Sequence, residues 1–171
     1  MMVAASAEDR LAALRSEFDR GFAAAPSGAV AAGEGMLAIG VGGERFLVRL
    51  AEIAGLYVDR RIVPVPAANT ALLGITGLRG VILPVFGLAA LLGCPPADTG
   101  PRWLAVAARA PVALAFDRLD AHLEIARTTI VPRADTARAH GYVREAAMVA
   151  ALTLSIIDLP AMTAAIAAHP L

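Results

Sequence analysis

Short apolar runs separated by glycine and proline, typical of β-strands joined by turns, make up most of the chain beyond residue 35. The first two runs are residues 36–41 and 45–50, and they are separated only by Gly42 and Gly43. A two-residue Gly-Gly connection between such runs is a strong hairpin signal. We therefore predict a β-hairpin here and place the start of the folded domain at Met36.

A second hairpin is predicted in the other half of the chain. Residues 103–108 and 112–116 are apolar runs joined by Arg109-Ala110-Pro111. Two pairs of segments align between the halves: residues 37–41 with 104–108, and residues 85–88 with 156–159. A repeat this long is not a solenoid period and indicates a duplicated β subdomain. Because each half is short for an independent core, we expect the halves to exchange strands and close into two small barrels.

The segments between and after the hairpins complete the predicted elements. Residues 58–66 are expected to form a strand broken by Pro64 and Pro66, and residues 146–154 are interpreted as strand despite their alanine content. Residues 152–157 have the pattern of a buried strand, and a short C-terminal helix follows. Residues 88–92 are expected to form one or two helical turns.

The N-terminal region has a different pattern. Ser6 begins a capping-box-like sequence, and Leu11, Leu14 and Phe18 follow at helical spacing. Residues 1–22 are therefore predicted to form an amphipathic helix. Residues 23–35 are rich in Ala, Gly, Pro and Ser and are interpreted as a linker. The main domain is predicted to span residues 36–171.

Composition excludes several functional classes. The chain has 171 residues, of which 58% are hydrophobic and 18% charged, so an ordered core is expected. All 15 basic residues are arginine and are balanced by 15 acidic residues, which gives no basic footprint for nucleic acid. The absence of lysine removes Schiff-base and P-loop chemistry. Cys94 is the single cysteine and cannot form an intramolecular disulfide.

Neither a membrane span nor a signal peptide is predicted. Residues 80–97 are uncharged, which approaches the length of a transmembrane helix, but glycine and proline interrupt them repeatedly. The N-terminus has no basic region before an apolar core. We therefore expect a cytoplasmic protein without membrane insertion.

An arginine between glycines is the most distinctive charged position. Arg79 lies in a segment with glycines at positions 74, 77 and 80, and a β-type run follows it. The segment is not a phosphate loop, because it lacks lysine and leads into no helix. An arginine offers a planar fork of donors that suits a carboxylate. We interpret Arg79 as a charge presented to a partner protein, or more simply as a solvated turn residue.

Possible metal ligands define an alternative. Asp120, His122 and Glu124 alternate along one predicted strand with Asp117 nearby, and imidazole and carboxylate suit iron, zinc or manganese. With His140, His122 and Glu124 would make a small metal-dependent β-barrel enzyme. The same alternation is typical of any half-exposed strand, which is the interpretation we favour. No nucleophile motif is present. A third possibility is that the apolar surface forms a homodimer or ring.

The order of motifs resembles that of CheW-like domains, the coupling proteins of bacterial chemosensory arrays. After the first hairpin come these segments: Pro64-Val65-Pro66, Gly74 to Gly80 with Arg79, Leu83 to Leu88, Leu91-Leu92-Gly93, Phe116-Asp117 with Leu119, Tyr142-Val143-Arg144 and Ile156-Ile157-Asp158-Leu159. The resemblance extends from residue 36 to about residue 166.

The resemblance implies an all-β fold with short helices, made of two intertwined SH3-like barrels, with no cofactor and no catalytic activity. It further implies an adaptor that links the regulatory domain of a chemotaxis-type histidine kinase to the cytoplasmic tips of methyl-accepting receptors, and so is recruited to membrane receptor arrays. Partner binding is expected at Arg79, Gly74, Gly77, Gly80 and Ile53. The N-terminal extension is similar to those of adaptors in type IV pilus sensory pathways.

Four positions depart from the family pattern. Gly55 stands where a glutamate near the arginine is usual, and Gly77 replaces an asparagine. Gly87 replaces an aspartate that Asp158 retains in the second half, and Glu145 replaces a glycine. These differences imply a divergent member in which Arg79 lacks its usual carboxylate, leaving Glu52 and Asp59 as the nearest acids in sequence.

Overall fold

The computed structural model describes residues 33–133 and 141–168 of the chain, and these form eleven strands and two α-helices. The helix predicted for residues 1–22 lies outside the described residues, as does most of the predicted linker. The strands are β1 (Gly33–Val41), β2 (Glu44–Arg49), β3 (Ile53–Val58), β4 (Leu72–Leu78), β5 (Val81–Gly87), β6 (Trp103–Ala107), β7 (Ala113–Phe116), β8 (Arg118–Ala126), β9 (Ile130–Pro132), β10 (Val143–Val149) and β11 (Leu152–Ile157). The helices are α1 (Leu88–Leu92) and α2 (Leu159–Ala168).

The strands form two sheets that exchange hairpins between the halves of the chain. The six-stranded sheet has the order β8-β1-β2-β11-β10-β9, and the five-stranded sheet has the order β3-β6-β7-β5-β4. The first hairpin therefore joins the strands of the second half, and the second hairpin, β6–β7, joins strands of the first half. The exchange is closed by two parallel pairings, β2 with β11 and β5 with β7. The prediction of an intertwined, duplicated all-β fold is confirmed.

Both predicted hairpins are present, and the first has the turn that its glycines predict. Gly42 and Gly43 have φ values of +56° and +83°, the left-handed conformation that a two-residue hairpin turn requires. The N–H of Gly42 also donates to Asp117 Oδ2 at 2.6 Å. This bond connects the turn of the first hairpin to Asp117, the residue between β7 and β8.

Three hydrophobic clusters account for the unbroken apolar runs. Met36 and Ala38 of β1 lie in one cluster with Leu47, whereas Leu37 and Ile39 lie in the central cluster. Adjacent residues of a strand point to opposite faces, so β1 is buried on both sides. The third cluster lies against the five-stranded sheet: Leu78, Leu83, Val85, Leu104, Ala113 and Ala115. Each sheet thus has its own core, and the central cluster joins them.

The two helices occupy equivalent places after β5 and β11 but begin differently. At α2, Asp158 Oδ1 accepts a hydrogen bond from the Ala161 N–H at 2.9 Å, which satisfies one free donor of the first turn. At α1 the equivalent residue is Gly87, and no side chain caps the helix. The predicted short helices are confirmed, and with Gly87 in place of the aspartate that the resemblance implies, α1 lacks the cap that α2 has.

Two strand predictions need correction. The strand predicted over residues 58–66 is wrong, because β3 ends at Val58 and only Val63 pairs further on, in a single bridge to Ile75. Pro64 and Pro66 lack the N–H that a longer ladder needs. Residues 146–154 are not one strand but parts of β10 and β11, joined by a turn at residues 150–151.

The uncharged residues 80–97 are divided among β5, α1 and the loop that follows. No helix in the described part of the chain is long and apolar enough to cross a membrane.

Candidate partner-binding surface

The β4–β5 hairpin turns at Arg79 and Gly80. Their φ values are +51° and +81°, so both central residues are left-handed, as in a type I′ turn. Gly80 adopts this conformation without strain, whereas an arginine there is uncommon. The turn places Arg79 at the tip of the five-stranded sheet, where its side chain is exposed.

Apolar side chains surround the turn. Ile82 is 71% exposed and Val81 is 55% exposed. Both lie at the start of β5, in which the following residues Leu83 and Val85 are buried. Ile82 pairs with Gly77 across the hairpin, and an added Cβ at Gly77 would meet nothing within 4 Å. Because Gly77 provides no covering side chain, Ile82 stays accessible. We call Gly77, Arg79, Gly80, Val81 and Ile82 the hairpin surface.

An aromatic ring, rather than a carboxylate, lies beside Arg79. Its guanidinium carbon lies 6.0 Å from the centroid of the Tyr57 ring, and that of Arg60 lies 5.6 Å from the same centroid. Both distances are within the range of cation–π attraction. Among the described residues, neither arginine makes an ion pair.

The two acids nearest to Arg79 in sequence are engaged elsewhere. Asp59 forms a bidentate pair with Arg102, at 2.8 and 3.0 Å, and this hydrogen bonding lowers the pKa of Asp59. Glu52 lies 3.9 Å from Arg49 and accepts a hydrogen bond from the Leu159 N–H at 3.3 Å. Although they are the acids nearest in sequence, neither of them is paired with Arg79.

Glu52 belongs to a half-buried cluster around Arg49. The Arg49 guanidinium also contacts Glu34, at 3.0 Å, and Glu145. Burial alone would lower the pKa of Arg49, but the hydrogen bond and charge of Glu145, together with the other two glutamates, raise it. The departure at Glu145 thus provides an ion pair between the two halves of the chain.

Two of the predicted site residues do not belong to the hairpin surface. Gly74 is buried with φ +144°, and a Cβ there would lie 2.2 Å from the Val63 carbonyl oxygen. Its role in the structure is to let Val63 approach β4. Ile53, at the start of β3, packs against the central cluster. Arg79, Gly77 and Gly80 are the predicted residues that the fold brings together.

The possible metal ligands are dispersed. His122 Nε2 lies 3.8 Å from Glu124 Oε1, and both side chains are more than half exposed. Asp120 is paired with Arg118 and lies 3.4 Å from Arg45, while Asp117 accepts from Gly42. His140 lies outside the described residues. Within residues 33–133 and 141–168, no three His, Cys, Asp or Glu side chains are grouped to hold a metal ion.

Sequence reasoning missed Tyr57 and Ile82. Gly55 and Tyr57 are two apart on β3 and so point to the same side, and a Cβ at Gly55 would lie 3.2 Å from Tyr57 Cε2. The ring therefore lies over Gly55, where the resemblance implied a glutamate. That spacing was visible in the sequence, but the strand was predicted five residues too late.

The fold and the hairpin surface together define a class of protein, a double SH3-like β-barrel with an exposed, arginine-bearing hairpin. A family model described as the CheW-like domain matches residues 35–167. The match covers most of the chain, and the chain belongs to the CheW-like domain family.

Two relatives illustrate the likeness. A protein of Rhizobium etli described as a probable chemotaxis protein CheW is 29% identical over 100 residues, which cover 57% of this chain and 64% of the relative. The chain thus aligns with slightly less than two thirds of that relative. The crystal structure of the scaffolding protein TtCheW from Thermoanaerobacter tengcongensis has a TM-score of 0.66 and 19% identity, covering 73% of this chain and 88% of that one. This structural likeness supports the fold.

Proposed function

We propose that this protein is a non-catalytic coupling adaptor of a chemosensory array, which binds the regulatory domain of a chemotaxis-type histidine kinase and the cytoplasmic tip of a methyl-accepting receptor. It acts in the cytoplasm and is recruited to receptor arrays. Family membership and the description of the Rhizobium etli relative support this class of function.

The observation that most supports protein binding is the hairpin surface. It combines the exposed side chains of Val81 and Ile82 with the guanidinium of Arg79, which has no ion pair among the described residues. Interface hot spots are enriched in arginine, and apolar anchors supply the buried core of an interface. On a free surface these apolar side chains gain nothing by being exposed.

The test is a binding titration between this protein and the purified kinase regulatory domain, with and without Arg79→Glu. If Arg79 is an interface anchor, the substitution should weaken binding by about 2 kcal/mol or more, which is roughly 30-fold. An arginine suits a carboxylate on a partner, and the reversed charge would repel such a group.

Arg127→Glu is the matched control. Arg127 is also exposed, and it lies in the turn after β8, on the six-stranded sheet. Its substitution by glutamate changes the charge by the same amount as Arg79→Glu. This variant should bind the kinase domain like the unsubstituted protein. Equal affinity for all three proteins would remove Arg79 from the interface.

A further inference from the structure

Within residues 33–133 and 141–168, Arg79 is held in a way that leaves its N–H donors without a hydrogen-bond acceptor. An arginine paired with an internal carboxylate directs its N–H donors to that group, often in a bidentate arrangement. Here the contact is with the face of the Tyr57 ring at 6.0 Å. In such a contact the ring quadrupole attracts the guanidinium. The N–H donors lie in the guanidinium plane and stay available for other hydrogen bonds.

The position of the ring depends on Gly55. A Cβ at residue 55 would lie 3.2 Å from Tyr57 Cε2 and 3.4 Å from its hydroxyl oxygen, so the ring lies against the glycine backbone. The ring is also half-buried and packs against the core of the five-stranded sheet. Glycine at 55 and the core contacts together fix the ring beside the β4–β5 turn.

The charges around the ring favour an acidic partner. Arg60 lies over the same ring, and the neighbouring Asp59 is already paired with Arg102 at 2.8 Å. The local balance is therefore positive, with two guanidinium groups that lack an ion pair in the described part of the chain. The exposed Ile82 adds an apolar contact beside this charge.

We propose that Tyr57 positions Arg79 for binding, in place of an internal carboxylate, and that the partner supplies the acidic side chain, next to an apolar residue that covers Ile82. This inference rests on the proposed function, because the partner is the kinase regulatory domain proposed above. Tyr57 is a positioning residue: it sets the specificity of the hairpin surface for a partner with an acidic group.

The proposal that the partner supplies the acidic side chain is tested by introducing a competing carboxylate into this protein near Arg79. Gly55→Glu puts a carboxylate under the ring, and Gly55→Gln is its uncharged counterpart with the same shape and the same disturbance of Tyr57. The glutamate variant should bind the kinase regulatory domain at least about threefold more weakly than the glutamine variant. This difference in affinity should become smaller in high salt, because salt screens the attraction between the introduced carboxylate and Arg79. Equal affinities for the two variants would overturn the proposal.

The positioning step is tested without any partner. In proton–nitrogen NMR spectra, the Arg79 Nε–H signal, assigned by Arg79→Lys, should show an upfield ring-current shift. The shift should persist in Tyr57→Phe, which keeps the ring, and disappear in Tyr57→Leu. The affinity for the kinase regulatory domain should be unchanged in Tyr57→Phe and should fall roughly two- to fivefold in Tyr57→Leu. An Arg79 signal unchanged in Tyr57→Leu would overturn the role of Tyr57.

The two arms separate this inference from the proposed function. If the unsubstituted protein does not bind the kinase domain, the proposed function fails, while the NMR comparison still decides the contact between Tyr57 and Arg79. If the protein binds but the glutamate and glutamine variants are equal, the adaptor function stands and the partner acid is excluded.

Discussion

Arg49 and Arg79 show the same residue type in two environments, one paired within the fold and one exposed, and recognition is proposed only for the exposed one. Three glutamates surround Arg49, whose side chain is 18% exposed, so its charge is neutralised within the fold. Arg79 is exposed and faces a ring instead. A buried charge needs partners within the chain, whereas an exposed one can wait for a partner outside it. The difference in environment, rather than residue type, is what separates the structural role of Arg49 from the role proposed for Arg79.

Glu52, in the cluster around Arg49, makes the stability of the fold depend on pH. Burial is the main cause that raises the pKa of Glu52 above its usual 4.5, opposed by the Leu159 N–H and by Arg49. The folded state therefore favours the protonated form, and the contribution of Glu52 to stability should fall as the pH rises from 4.5 through the raised pKa. Glu52→Gln keeps a carbonyl acceptor for Leu159 and removes this dependence.

The measurement is urea unfolding of both proteins from pH 4 to pH 7. The free energy of unfolding of Glu52→Gln should rise relative to the unsubstituted protein with increasing pH, then level off. Glu44→Gln, an exposed carboxylate outside the cluster, is the control for a general loss of negative charge. A difference that stays constant or falls with pH would contradict the burial of Glu52.

At the scale of elements, local signals predicted hairpins well and long-range pairing poorly. The Gly42-Gly43 turn and the β6–β7 hairpin depend on adjacent residues, so the sequence was sufficient for them. The parallel pairing of β2 with β11 joins segments about a hundred residues apart, and only the duplication hinted at it. The limits of β3 were misplaced for the same reason, because its partner is β6. That error concealed Tyr57.

Gly74 shows why a glycine motif alone did not define the site. In sequence, Gly74 and Gly77 look equivalent, but only Gly74 has a positive φ and a close backbone neighbour. Gly74→Ala should therefore lose about 2–4 kcal/mol of stability, since the new Cβ would collide with Val63 and break its bridge to Ile75.

Gly77→Ala is the matched control for this prediction. Its Cβ would meet nothing within 4 Å, so the change should stay within about 0.5 kcal/mol. Denaturant unfolding of the two variants provides the comparison. A Gly74→Ala variant as stable as Gly77→Ala would show that the close approach of Val63 is not needed.

At the scale of the whole molecule, strand exchange makes the two barrels one unit. Each sheet contains strands from both halves of the chain, and the central cluster contains buried side chains from both sheets. Such a fold holds surfaces on its two barrels in fixed geometry. An adaptor with this geometry raises the effective concentration of one partner beside the other and can couple their states.

The central claim, that one chain bridges two partners, is tested most directly by sedimentation velocity with the kinase regulatory domain and a cytoplasmic receptor fragment. We predict that the receptor fragment and the kinase domain sediment together only when this protein is present, and that Arg79→Glu removes the kinase domain from the complex. Kinase and receptor that remain in separate boundaries at saturating adaptor would contradict the account.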